Sequence, residues 1–172
     1  MEHLLNKTWV SVDLETLSTK QNGVIVSIGA VKFTIKDGLG DEFSVNIDSQ
    51  SSLEFGLNIE LESLKWWSTQ PVHIRKAWQI DKEPLPDALT SFNNWLGACS
   101  KHLFLANGSV FDFGLLRSSY EATGISRPWA YWNEIDLRTI AILLDVKLSK
   151  GNSHTALGDA KNQANQFISL FK

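Results

Sequence analysis

Three stretches rich in β-branched residues fill the first 47 positions, and the segments between them are too short to carry a crossover helix. They are 8–14 (TWVSVDL), 24–35 (VIVSIGAVKFTI) and 43–47 (FSVNI), separated by the turn-rich "STKQNG" and "KDGLGDE". Strands joined in this way pair antiparallel, so the first third of the chain is expected to form a β-meander. Helical patterning follows. Asn58 is placed to cap a helix over 59–68, in which Leu61, Leu64 and Trp67 fall near one face. Pro71 can open a second short helix. Pro86 suits the first turn of a third, continued by Ala88, Leu89, Phe92, Trp95 and Leu96. "HLFLAN" (102–107) reads as a short buried strand, and a helix over 112–123 should stop before Gly124. Helices are further expected from Asp136 to Leu144 and at the C-terminal end, where Ala160, Ala164, Phe167 and Phe171 recur at helical spacing. The order β-β-β, then α, β, α, α implies an α/β fold: a mixed sheet, meander plus parallel strands, flanked by helices.

With 172 residues, 43% apolar composition and seven Trp, the chain is expected to be a single domain, 1–172, with a core large enough to fold alone. A net charge of −3 argues against a broad cationic coat, so a polyanion would have to be held locally. Cys99 is the one cysteine and is expected to be a small core residue. "DKEPLPD" (81–87) reads as a loop. The N-terminal segment is too short and polar for a signal sequence, and no apolar run approaches a membrane span, so a cytoplasmic protein is expected.

The chemistry concentrates in acids. Asp13 and Glu15 stand two apart at the end of the first strand, which sends both side chains from one face. Two close carboxylates repel, and one is forced to take a proton unless a hard cation such as Mg²⁺ or Mn²⁺ sits between them. An isolated D-x-E is more often a solvated strand end than a site. Two later segments add to it. "LANGSVFDFGLL" (105–116) leads a strand through a Gly turn to Asp112 at a helix start, where the helix dipole alone would also favour an acid. "HTALGDA" (154–160) sets His154 five residues before Asp159 in a helix with a buried-looking stripe, and Gly158 leaves space for another backbone.

Four acids in this order, with His154, resemble the DEDD family of 3′–5′ exonucleases. The histidine at 154, with Thr155 where the tyrosine branch would need Tyr, matches the DEDDh branch, which includes polymerase proofreading exonucleases, ribonuclease T and oligoribonuclease. "VDLETLST", "VIVSIGAVKF", "LKWWSTQ", "NGSVFDFGLL" and "PWAYWNEIDLRTI" further resemble the phage exonuclease A group and related bacterial exoribonuclease-like domains. That likeness implies a phage origin, with the host cytoplasm as location.

The resemblance implies a ribonuclease H-like fold and hydrolysis of the 3′-terminal phosphodiester of single-stranded nucleic acid to nucleoside 5′-monophosphates. It implies two divalent ions, Mg²⁺ or Mn²⁺, roughly 3.5–4 Å apart. Asp13, Glu15, Asp112 and Asp159 would hold them, with Asp13 bridging both, and His154 would be the general base. An ordinary His titrates near ~6.5, which suits that task. Thr16 and Leu17 match positions that hold the terminal nucleotide in the family. Asn107 and Phe111 are further candidate substrate contacts beside Asp112. Of Trp66 and Trp67 one is expected in the core and the other exposed to a base, with Trp67 taken as the contact; packing of both is the bland alternative. Asp136 and Arg138 are expected to give structural support, as cap or ion pair, and Lys147 and Lys150 are either a local basic rim or ordinary solvated lysines. His3, His73 and His102 have no metal-like partners in the pattern. DNA is slightly favoured as substrate, with RNA trimming the close alternative. A non-catalytic or proofreading accessory module is the reading from a different class.

Overall fold

The structure is a computed structural model that describes residues 2–149, 151 and 155–171. In chain order the elements are α1 (Glu2–Leu5), β1 (Trp9–Thr16), β2 (Ile25–Thr34), β3 (Gly38–Ile47), α2 (Ser49–Glu54), α3 (Leu61–Thr69), α4 (Val72–Ala77), β4 (Lys82–Glu83), α5 (Leu85–Leu96), β5 (Leu103–Ala106), α6 (Ser109–Thr123), a 3₁₀ turn (Tyr131–Asn133), β6 (Glu134–Asp136), α7 (Leu137–Leu143) and α8 (Ala156–Ser169). The six strands form one sheet in the order β4-β3-β2-β1-β5-β6. β1, β2 and β3 pair antiparallel, as the short connections require. β5 joins β1 in parallel, β6 joins β5 in parallel, and β4 joins β3 in parallel. The mixed sheet with flanking helices is the architecture expected from the pattern of elements.

Several boundaries differ from the sequence reading. β3 begins at Gly38, five residues before the expected start, because the turn after β2 is tight and Thr34 pairs directly with Gly38. The segment read as a loop around Pro84 and Pro86 contributes the two-residue strand β4 before Pro84. Asn58 does not cap α3, which begins at Leu61 with Glu60 at its N-cap position. Its side chain instead accepts from Ser18 Oγ at 2.9 Å and donates to Asn22 Oδ1, closing the β1–β2 connection. α5 does carry Pro at its first turn, and α6 ends at Gly124 in the left-handed region, φ 69°, where glycine has no Cβ to clash. Cys99 is buried, as expected of a core residue, with its thiol 3.6 Å from the Pro128 carbonyl. Among the described residues, no helix is long and apolar enough to cross a membrane.

Alternation along β1 divides the core into two layers. Val10, Val12 and Leu14 face one side with Leu89 and Phe92 of α5 and Phe113 and Leu116 of α6. Trp9 faces the other side with Phe33 and with Ala164, Phe167 and Ile168 of α8. There the rings of Trp9 and Phe167 lie 4.4 Å apart. Asp13 and Glu15 share the parity of Trp9, so they leave the sheet on the α8 side. β2 lets α8 come close. Gly29 pairs with Asp13, and a Cβ built on Gly29 would stand 2.0 Å from Leu157 N and 2.1 Å from Ala156 C. Backbone therefore rests on backbone at this point, and only glycine fits between. Ala160 and Ala164 continue the same close-set face of α8.

Gly29→Ala is therefore expected to destabilise the fold by about 3 kcal/mol or more, because the obstacle is main chain and cannot rotate aside. Urea unfolding of wild type and variant measures this, and an unchanged midpoint would show that α8 rides higher above the sheet.

Candidate active site

Two helices approach the end of β1 from opposite faces of the sheet. α6 packs in the layer of Val12 and Leu14 and presents Asp112 in its first turn. α8 packs in the layer of Trp9 and presents Asp159 in its first turn. Between them β1 supplies Asp13 and Glu15, the latter just before the β1–β2 ladder slips between Glu15 and Thr16. Carboxylate oxygens of Asp13, Glu15 and Asp159 all lie within 4.8 Å of one another. Asp112 is outside that trio, but its carboxyl is buried and its charge acts on Asp13. All four acids singled out in the sequence thus converge on one strand end. His154 and Lys150 lie outside the described residues, while Lys147 is exposed. Gly151 passes against Asp159: a Cβ there would be 2.2 Å from Asp159 Oδ1.

The β5-to-α6 turn that delivers Asp112 is held by Asp136. Its Oδ1 accepts from Gly108 N at 2.9 Å, Ser109 N at 3.4 Å and Arg138 N at 3.2 Å, while Oδ2 accepts from Thr139 Oγ1 at 2.8 Å. Asp136 is thus both the cap of α7 and the clamp on this turn, which is the supporting role expected of it. Arg138 donates Nη2 to the Asn107 carbonyl at 3.2 Å, and its charge draws the Asp112 carboxyl downward.

Two clefts open beside the acids. One, of about 540 Å³, is lined by Asp13, Asp159, Asn107, Arg138 and Gln163 and by the α7–α8 connection. The buried Oδ1 of Asn107 and Oε1 of Gln163 have no hydrogen-bond partner among the described residues. The second, of about 410 Å³, runs from Glu15 and Thr16 to Trp66 and Trp67. Here two expectations need correction. Trp67, read as the stacking residue, is 5% exposed and its Nε1 donates to the Thr16 carbonyl at 2.8 Å, so its ring is a structural brace. Trp66 is the exposed neighbour at 49%. Leu17, read as a nucleotide contact, is 3% exposed; its N donates to Val24 O and its carbonyl accepts from Glu60 N, both at 2.9 Å, which fixes it in the core. Thr16 lines the second cleft and Phe111 is partly exposed.

Gln163 escaped the sequence reading. It is 5% exposed, and its Nε2 donates to Asp13 Oδ1 at 2.7 Å. The signal was present: Gln163 interrupts the stripe formed by Ala156, Ala160, Ala164 and Phe167, so an amide stands where the pattern calls for an apolar side chain.

Electrostatics follow from the crowding. Burial, then the charges of Asp112, Glu15 and Asp159, hold Asp13 well above the usual carboxylate range. Burial, with Asp159 beside it, pushes Glu15 up to about 7. Asp112 is pushed up to about 7, again chiefly by burial. Hard oxygen donors that repel one another suit a divalent cation such as Mg²⁺ or Mn²⁺, whose charge removes the conflict. The hydrogen bond that Gln163 gives to the Asp13 carboxylate comes from a neutral amide and brings no charge to offset the repulsion.

Lifted carboxyl groups keep a proton in the folded state at pH values where the unfolded chain has lost it. Their favourable contribution is therefore complete below the unfolded value of about 4.5 for Glu15 and fades as pH rises towards 7. In EDTA the protein is expected to lose stability from pH 5 to pH 8, with roughly 3 kcal/mol of that loss from Glu15, at about 1.4 kcal/mol per unit. Glu15→Gln should flatten the slope, and Mn²⁺ should stabilise wild type more at pH 8 than at pH 5. Urea titrations at the two pH values measure both effects, and equal slopes in wild type and Glu15→Gln would contradict the strain.

A sequence-family model, the 3′–5′ exoribonuclease Rv2179c-like domain, matches residues 8–170. Among curated proteins, a PolC-type DNA polymerase III of Staphylococcus saprophyticus is 28% identical over 123 residues, which is 71% of this chain and 8% of that protein. The chain thus spans less than a tenth of that relative. Among solved structures, the nuclease domain of 3′hExo, a DEDDh family member bound to rAMP, superposes with a TM-score of 0.65 at 14% identity, covering 96% of this chain and 92% of the other. Exonuclease I of E. coli, in complex with a 5cy-dA13 oligonucleotide, gives 0.62 at 12% identity over 95% of this chain and 40% of its own. These superpositions bear out the ribonuclease H-like fold, and the match along nearly the whole sequence goes further: the chain belongs to the 3′–5′ exoribonuclease Rv2179c-like domain family.

Proposed function

We propose that this domain removes nucleotides one at a time from the 3′ end of single-stranded nucleic acid, releasing 5′-monophosphates in a divalent-cation-dependent hydrolysis. The observation that carries the reading is the convergence of Asp13, Glu15 and Asp159 within 4.8 Å, with Asp112 acting on the same group. These four acids would hold the cations, two in number by the family resemblance. When bound, such cations act as Lewis acids on the phosphate and lower the pKa of water.

The remaining roles fall to side chains. His154 takes the proton from the attacking water, a role that rests on its place in the H-x4-D motif. The exposed indole of Trp66 stacks the terminal base in the second cleft, in place of Trp67, and Thr16 lines the path from there to Glu15. Such stacking tolerates every base, as a non-specific trimming activity needs. Phe111 directly precedes Asp112, and the Oδ1 of Asn107, without a hydrogen-bond partner among the described residues, is available to a sugar hydroxyl or a water. RNA is favoured as substrate over the slight lean to DNA drawn from phage-like motifs, because the matched family is described as exoribonuclease-like. A polymerase-associated proofreading role is the second reading, supported by the PolC-type relative.

The test supplies purified protein with matched 3′- and 5′-labelled RNA and DNA strands in Mg²⁺, Mn²⁺ or EDTA. Shortening from the 3′ end should require the metal, vanish in Asp13→Asn and fall strongly in His154→Ala; internal cleavage or activity in EDTA would sink the reading. Trp66→Ala should weaken strand binding by about 1–3 kcal/mol without lowering stability. Trp67→Ala should instead cost about 3–5 kcal/mol of stability, read by thermal denaturation.

A further inference from the structure

We infer that Gln163 is a positioning residue for Asp13, holding one carboxylate oxygen so that the other is presented to the cation; this rests on the cation-dependent reading above. Three observations support the assignment. Gln163 Nε2 donates to Asp13 Oδ1 at 2.7 Å, across 150 positions of sequence, so the bond ties α8 to β1 at the site itself. Gln163 is 5% exposed, so the packing around α8 restricts the amide from turning away from Asp13. It also lies one helical turn beyond Asp159, so one face of α8 delivers both an acid to the trio and the group that orients another of its members.

The choice of an amide has a physical reason. Lys or Arg at this place would donate equally well but would bring a positive charge, pair with Asp13 and compete with the cation. An apolar side chain would leave the carboxylate free to turn. A buried amide orients the oxygen and leaves its charge unneutralised. Its second end fits the same role. Gln163 lines the larger cleft together with Asp13 and Asp159, and its Oε1 is buried without a partner among the described residues. Buried acceptors are seldom left so. A water entering the cleft with the cation is a donor of the right size, and it would lock the amide in the orientation that serves Asp13. Groups that orient metal-binding carboxylates change affinity or activity by about 10–100-fold when removed.

The test compares wild type, Gln163→Met, Asp13→Asn and the double variant. Met has similar length and volume and is well tolerated in cores, so the helix should stay docked. Gln163→Asn, an amide too short to reach, is a second probe should Met disturb packing. Thermal denaturation in EDTA reports the fold. Mn²⁺ affinity, read from the electron paramagnetic resonance signal of the free ion, reports the site. Single-turnover decay of a labelled oligonucleotide supplies rate and KM.

Gln163→Met should keep its melting temperature, bind Mn²⁺ about 10–100-fold more weakly, and lose rate with KM unchanged. In the Asp13→Asn background the same substitution should have no further effect on Mn²⁺ affinity, because its action passes through Asp13. Wild-type Mn²⁺ affinity in Gln163→Met would overturn the inference, as would losses that simply add to those of Asp13→Asn. If wild type binds and cleaves while Gln163→Met matches it, only this inference fails. If wild type itself ignores Mn²⁺, the cation-dependent reading fails and takes the inference with it.

Discussion

The contact on which the rest depends is main chain against main chain: the first turn of α8 resting on Gly29 of β2. Gly29 pairs with Asp13, so this contact fixes how far Asp159 stands from the strand acids. Hydrophobic burial farther along, Trp9 and Phe33 against Phe167, holds the helix down but does not set its height at the site. The absence of a side chain at one position sets that height. A second clamp acts on the opposite face, where Asp136 grips the Gly108–Ser109 turn and so places the start of α6. Four acids from three distant segments are thus brought to one strand end by a glycine and by an aspartate that is not among them.

Such an arrangement opposes its own stability. Burial and mutual repulsion raise the pKa of Asp13, Glu15 and Asp112 together, a cost met by the two apolar layers on either side of the sheet. Acids crowded together beside a cleft are poor structural elements and good ligands for hard cations. The fold supplies the strain, and the chemistry relieves it.

Much of this was legible in the sequence, for identifiable reasons. β1 and β2 are long and rich in β-branched residues, so both they and the shared face of Asp13 and Glu15 could be read from period-two alternation. Asp112 and Asp159 were legible because each opens a helix with a clear apolar stripe or glycine turn. What escaped was short or degenerate. β4 has two residues and β6 three, too few for any period to show. Gly38 to Asp41 has the composition of a turn, yet Gly38 and Leu39 pair with Thr34 and Phe33 because β2 is long enough to template them, and the ladder slips before it resumes at Glu42. Leu17 sits beside the site in sequence but is drawn inward by backbone bonds to Val24 and Glu60. Trp66 and Trp67 differ by one step of about 100° around a helix, and only the direction in which α3 packs decides which is covered. Gln163 shows how an exception to a pattern can carry meaning that the pattern conceals.

The position of α8 has a consequence for biosynthesis. A ribosome completes Asp13, Glu15 and Asp112 long before it reaches residues 156–169, the segment that carries Asp159 and Gln163. Until that segment has emerged and docked on Gly29, a nascent chain holds most of the acids but no closed pocket. The order of synthesis therefore completes the cluster of Asp13, Glu15 and Asp159 only when α8, the last helix described, docks on the sheet.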